Sequence, residues 1–181
     1  MAQVRFGRRG LVVAAATSLI VFGTLLAQQV LSAVISLATV PAGSSFFLPL
    51  VIEQETVTAL TGSLPLSVGL FLSLWQIAPI GAELRLAHVL TRALLASGIG
   101  AALVAFVWLA VAGVEALGRL FDPATAEFAL FAFGSAAFAG AQRAALAFVG
   151  MTPLILLAGV LLWLWLRGHT RDYDVTGMLD L

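Results

Sequence analysis

Long uncharged apolar stretches alternate with short charged segments along this chain. The apolar stretches cover about residues 11–37, 64–80, 93–114 and 146–166. A bilayer core about 30 Å thick takes about 20 helical residues at 1.5 Å each, so stretches of this kind can cross it. The pattern predicts an all-α fold: a polytopic transmembrane helical bundle with four spans, in one membrane-embedded domain over residues 1–181.

The segment 123–145 leaves the number of spans open. Asp122-Pro123 is typical of a helix start, because Asp accepts hydrogen bonds from free N–H groups and Pro lacks a donor that would be unsatisfied there. Thr152-Pro153 repeats this pattern further along the chain. The segment is either an interfacial or re-entrant helix, which gives four spans, or a further span, which gives five.

The distribution of Arg favours four spans. Positive residues near the ends of spans tend to remain in the cytoplasm. With a cytoplasmic N-terminus, four spans keep seven of the nine Arg residues inside, whereas five spans keep six. Arg8-Arg9 before the first stretch resembles the start of a signal peptide, but the apolar run is longer than such peptides have. We therefore predict an uncleaved first span and a multi-pass protein of a bacterial-type plasma membrane.

Three segments outside the spans have a distinct composition. Residues 41–63 contain breakers, threonines and the pair Glu53 and Glu55 but no Arg, which predicts a loop at the far interface. Residues 83–92 are charged and begin a long helix that enters the third span. Residues 168–181 are polar and predict a flexible tail.

The composition excludes several classes of function. Hydrophobic residues make up 61% of the chain and charged residues 10%, against about 25% charged in soluble domains. A formal net charge of zero gives no basic surface for nucleic acid. Without Cys, and with His88 and His169 far from any metal-ligand spacing, no cofactor, metal site or catalytic residue is predicted. The predicted partners are the lipid bilayer and other membrane subunits or a second copy of the chain.

Arg85, His88 and Arg92 lie at positions i, i+3 and i+7, on one face of the predicted third helix. They form a contact strip for a soluble partner or for anionic lipid headgroups, or else a simple anchor that follows the positive-inside rule. The anchor is the interpretation that most loops of this kind fit.

Arg143 is the charge that the apolar pattern explains least, because a guanidinium at membrane depth is costly. One hypothesis makes it an anion site or an ion-pair partner of Glu115 or Glu127; the other lets it extend to an interface. Small residues precede and follow it at helical spacing, which favours close helix packing on that face. These are Ala132, Ala136, Gly140 and Ala144.

Two other patterns indicate contacts between helices. Gln28 and Gln29 lie within the first apolar stretch, where amides can form hydrogen bonds across helices. Gly98 and Ala102 predict close packing of the third span.

The absence of a catalytic cluster in the sequence favours a non-enzymatic accessory, scaffold or assembly subunit that acts through helix–helix packing. The first alternative is a component of a transporter or channel, with a polar path near Arg143 and Gln28/Gln29. A weaker alternative is a membrane enzyme that acts on lipids through Glu53 and Glu55, the one pair of neighbouring carboxylates at the outer interface.

Overall fold

The computed structural model describes residues 8–38, 47–121 and 124–174 of the chain. Its five α-helices are α1 (Arg8–Ala38), α2 (Phe47–Thr58), α3 (Leu64–Leu72), α4 (Leu86–Leu120) and α5 (Ala129–Asp174). One π-helical turn, Ala59–Ser63, joins α2 to α3 and a second, Ser73–Ile77, follows α3; a 3₁₀ turn, Ala126–Phe128, precedes α5. Within these residues there is no strand.

Four helical segments are long and apolar enough to cross a membrane. They are Leu11–Ala38, Pro49–Ile77, Leu86–Leu120 and Ala126–Gly168. The predicted class, an all-α membrane bundle with four spans, is therefore confirmed. The predicted long third helix is also present and begins at Leu86.

The second span begins earlier than the apolar pattern predicts. Most of the loop expected at 41–63 is helical from Phe47 onward, while residues 41–46 lie outside the described part. Threonine hydroxyls explain the difference, since each bonds the carbonyl one helical turn back. Thr56 bonds Ile52 at 2.7 Å and Thr61 bonds Val57 at 2.7 Å. The polar side chains therefore add hydrogen bonds within the helix instead of ending it.

The last span differs as well, because no break separates the predicted helix 123–145 from the predicted span 146–166. Residues 129–145 of the first and all of the second belong to the 46-residue helix α5, and residues 122–123 of the expected cap lie outside the described part. Pro153 stands inside this helix. The hydroxyl of Thr152 bonds the carbonyl of Phe148 and lies 2.8 Å from that of Ser97 on α4. Such bonds allow a membrane helix to continue through proline.

The helix α5 also covers the first half of the predicted polar tail. It continues to Asp174, so residues 168–174 are helical, and residues 175–181 lie outside the described part. At 1.5 Å per residue, α5 is about 69 Å long, which exceeds the thickness of a bilayer core by about a factor of two.

The helices pack closely around α4 in the part of the bundle that contains Gly69 and Gly100, which we call the base. The helices α4 and α5 form an antiparallel hairpin, α3 packs on α4, and α1 packs on α3. Backbones of α3 and α4 meet at Gly69 and Gly100, where a Cβ added to Gly69 would lie 2.7 Å from the Gly100 Cα. A side chain at either glycine would separate the two helices, so this contact fixes the base.

The connection between the second and third spans is fixed by side chains of both hairpin helices. Arg92 of α4 donates a hydrogen bond to the carbonyl of Pro79. Trp163 of α5, with 8% of its surface exposed, donates from Nε1 to the carbonyl of Leu84 at 2.9 Å. These bonds satisfy carbonyl groups of a non-helical segment, as burial requires.

Away from this base the helices diverge. The helix α2 packs on α1, and in the described residues it makes no extensive contact with α4 or α5. The bundle therefore has two arms: the end of α1 with α2, and the end of the α4–α5 hairpin that carries Glu115 and Glu127.

Replacing Gly69 with Ala tests the tight base. The added methyl group has no space between the two backbones, so we expect a loss of stability of about 1–3 kcal/mol. The measurement is thermal unfolding of the detergent-solubilised protein. Gly113→Ala is the control, because nothing lies within 4 Å of its Cβ position. Equal stability of both variants would contradict the close approach.

Reporter fusions test the span number. Four crossings put the start of α1 and the end of α5 on the same side of the membrane. We expect fusions at the N-terminus and after Asp174 to give the same compartment signal in cells. Opposite signals would require an odd number of crossings.

Candidate functional site

Arg143 lies within the apolar length of the bundle, against the ring of Trp108. Its guanidinium carbon is 4.1 Å from the ring centroid. The uncharged part of α4 between Arg92 and Glu115 is about 33 Å long, and Trp108 lies about 10 Å inside its Glu115 end. A guanidinium on an indole face is worth about 0.5–1 kcal/mol at an exposed position. The exposed side chain of Arg143 thus has an aromatic support within the apolar length of the bundle.

A cavity of about 520 Å³ brings Arg143 together with polar side chains of the other arm. Its polar lining comes from α1 and from the segment around α2: Gln28, Gln29, Ser32, Gln54, Glu55, Thr58, Thr61 and Ser63. Its apolar wall at the packed base is formed by Leu25, Leu66, Val104 and Met151. Binding pockets for small molecules have volumes of about 300–1,000 Å³, and this cavity is in that range.

A second cavity of about 620 Å³ reaches Arg143 from the other side of α2. Both cavities are lined by Gln54, Thr58, Trp108 and Arg143, so α2 lies between them. Glu55 lines the first and Glu53 the second. Residues two apart on a helix point in different directions, so the two carboxylates predicted as a pair do not share one site.

The first cavity contains amide hydrogen-bond donors in addition to the guanidinium of Arg143. Gln29 donates from Nε2 to the Ser63 hydroxyl at 2.9 Å, which is the kind of contact across helices that the sequence predicts. The side-chain amides of Gln28 and Gln54 have no hydrogen-bond partner within the described part of the chain. With the five N–H donors of a guanidinium, these amides can surround a carboxylate or phosphate.

The predicted ion pairs of Arg143 do not form among the described side chains. Glu115 lies about two helical turns beyond Trp108, and Glu127 precedes Arg143 by sixteen residues, about 24 Å of helix. Both carboxylates are exposed at the end of the hairpin. Within the described structure the guanidinium lies over the ring of Trp108 and makes no hydrogen bond or ion pair.

The small residues predicted for packing differ in burial. Gly140 and Ala144 are buried in the hairpin, and a Cβ on Gly140 would lie 2.7 Å from that of Trp108. Ala132 and Ala136 are half-buried. In contrast, Gly98 is half-buried and Ala102 exposed, because the closest approach to α3 is at Gly100.

The three residues of the basic strip, Arg85, His88 and Arg92, differ in burial. Arg85 and His88 are exposed, whereas Arg92 is half-buried and bonded to the Pro79 carbonyl. The strip lies at the end of the apolar length opposite Glu115.

Sequence reasoning missed the role of three residues of the site. A tryptophan within an apolar span gives no sign of a contact with Arg143, and Gln54 and Thr58 lie in the segment 41–63, which the sequence predicts as a loop. The period of α2 does give a signal, since Gln54, Thr58 and Thr61 recur at helical spacing. A polar face of this kind indicates a helix that borders a polar space.

No group of three or more His, Asp or Glu able to hold a metal ion occurs among the described residues. Compared with known proteins, the chain matches no family model, no curated protein and no solved structure.

Cysteine accessibility tests whether the cavity holds water, and the chain has no native Cys that would interfere. Gln28 lines the cavity, whereas Val30 on the same helix, 62% exposed, does not. We expect a membrane-impermeant thiol reagent to label Gln28→Cys in intact membranes and to leave Val30→Cys unlabelled. Equal labelling, or none at Gln28→Cys, would contradict a water-filled cavity.

Proposed function

We propose that this protein is a component of a membrane transporter or channel that takes up a small solute with an anionic group. The observation that carries the proposal is the cavity that joins Arg143 to Gln28, Gln29 and Gln54 within the apolar length of the bundle. Charged residues at such depth normally face water-filled cavities and mark solute pathways.

The chemistry of the lining supports a carboxylate or phosphate as the bound group. Arg143 supplies the positive charge, and the amides of Gln28 and Gln54, which have no partner among the described residues, supply neutral donors. Glu55, on the opposite arm, adds a negative charge to the same cavity. A solute that also carries an ammonium group would satisfy both ends, so zwitterions belong to the expected substrates.

The accessory or scaffold role has less support. In the sequence this role rests on the absence of a catalytic cluster and on helix packing by small residues. The tight contacts of Gly69 with Gly100 and of Gly140 with Trp108 pack helices of this chain against one another. They therefore do not by themselves indicate an external partner.

The two arms provide a way to open and close the site. The π-helical turn Ala59–Ser63 lies where the α2 arm leaves the packed base, and such turns are frequent at functional sites. Gly62 in this turn has no neighbour within 4 Å of its Cβ position. Movement of α2 about this turn would bring Gln54 and Glu55 toward Arg143 and enclose the solute.

The Arg distribution assigns the direction of entry within the proposal. The end with Arg85, Arg92 and Arg167 is assigned to the cytoplasm of a bacterial-type plasma membrane. The cavity lies toward the other end, with Glu53 and Glu55, so the solute would enter from outside.

Uptake into proteoliposomes tests the function. The probes are radiolabelled inorganic phosphate, lactate and glycine, which represent an inorganic anion, an organic anion and a zwitterion. We expect uptake of at least one probe above that of protein-free liposomes, and a loss of at least about tenfold in Arg143→Gln, because a hydrogen bond to a charged group is worth about 1.5–3 kcal/mol.

Arg119→Gln is the matched control, since it removes the same charge from a position at the end of α4 that lines neither cavity. It should retain uptake. If Arg143→Gln transports as well as the unchanged protein, Arg143 is not a solute site.

A further inference from the structure

A third cavity lies on the outer face of the α4–α5 hairpin, remote from Arg143. It is a groove of about 500 Å³ with an almost entirely apolar lining: Thr91, Arg92, Leu94, Leu95, Gly98, Ile99, Ala102 and Phe148. The groove exists because Gly98 and Ala102 have small side chains between larger neighbours. The atom nearest to a Cβ on Gly98 would be Cε2 of Phe148, at 3.9 Å, so there is space above the glycine.

The groove and the basic strip lie on the same face of α4. His88, Arg92, Leu95, Ile99 and Ala102 follow one another at intervals of three or four residues, which is the spacing of one helical face. The strip is thus the polar end of the groove. From Thr91 to Ala102 the groove is about 16 Å long, and it runs from the charged end into the apolar length.

We propose that this groove binds one anionic phospholipid, with an acyl chain along Gly98 and Ala102 and the headgroup at Arg85, His88 and Arg92. Its layout matches that of a phospholipid: charge at the interface and an apolar channel directed into the membrane core. Basic pockets at the cytoplasmic ends of membrane helices bind anionic headgroups in this way.

The charges around the strip favour an anionic headgroup. Arg85 and His88 are exposed, and Arg92 holds the Pro79 carbonyl with one nitrogen and has further N–H donors. Glu83, in the turn before α4, is the carboxylate within the segment 83–92, and this segment keeps a positive balance. A neutral zwitterionic lipid would fill the groove equally well but would gain less at the strip.

Exposure of the groove walls favours lipid as the occupant. Leu94 and Leu95 are 45% and 47% exposed, at a depth where the surroundings of a spanning helix are acyl chains. The site is independent of the proposed transport function, because it shares no residue with the cavities at Arg143.

Thermal unfolding in an uncharged detergent tests the site. The probes are phosphatidylglycerol, phosphatidylcholine with the same chains, and soluble glycerol 3-phosphate. We expect phosphatidylglycerol to raise the midpoint by several degrees more than phosphatidylcholine, and glycerol 3-phosphate to have no effect. Equal effects of the two lipids, or a full effect of glycerol 3-phosphate alone, would overturn the proposal.

Two pairs of variants separate the groove from the strip. Ala102→Leu fills the groove and should abolish the shift, whereas Ala110→Leu, at an exposed site of the same helix outside the groove, should retain it. The double variant Arg85→Gln/His88→Gln should lose the preference for phosphatidylglycerol, and Arg119→Gln should keep it. Native mass spectrometry should count one retained phosphatidylglycerol, and retention by Ala102→Leu would overturn the groove assignment.

Discussion

Arg143 places a guanidinium within the apolar length of four helices, where it needs a polar environment. This requirement explains the polar residues around Arg143 and α2, in the half of the molecule away from the base. Moving Arg to the centre of a membrane helix costs about 2.5–3.5 kcal/mol on insertion scales. The chain offsets this cost with the face of Trp108 and with a cavity lined by amides and hydroxyls. Because no carboxylate in the described structure neutralises Arg143, its charge is available to a ligand.

The cavity depends in turn on the tight base. Gly69 and Gly100 let α3 and α4 approach until their backbones touch, and α1 packs on the other side of α3. With this half closed, α2 can diverge from the hairpin without separating the bundle. The threonines of α2 and of the following π-helical turn suit this position, because their hydroxyls are bonded within the helix while Thr58 and Thr61 line the cavity. The closely packed base is therefore mainly apolar, and the loosely packed half around α2 is polar.

Hydropathy predicts the spans because each needs a long uncharged run, and the third span follows that rule from Arg92 to Glu115. It fails at α2 because hydropathy and breaker residues register Glu53 and the threonines as polar, but do not register the i−4 hydrogen bonds that satisfy the threonine hydroxyls within the helix. It fails at Pro153 because a Thr-Pro pair has the same sequence at a helix start and inside a membrane helix; only the contact with Ser97 distinguishes the two.

The partial site, Arg143 with Gln28 and Gln29, is visible in the sequence because polar residues in apolar runs are rare. Trp108 is not, since aromatic residues within spans are common.

The two ends of the bundle differ in charge, and this difference connects the two proposed sites. Arg85, Arg92 and Arg167 lie at one end, while Glu53 and Glu115 lie at the other. Anionic headgroups are concentrated at the cytoplasmic surface, where the basic end is favoured. A lipid held there would fix the hairpin by its base and leave the α2 arm free to move. The fixed and the mobile parts of the protein would then lie at different depths in the membrane. Arg143 would stay on the fixed hairpin, and the α2 arm would move toward it.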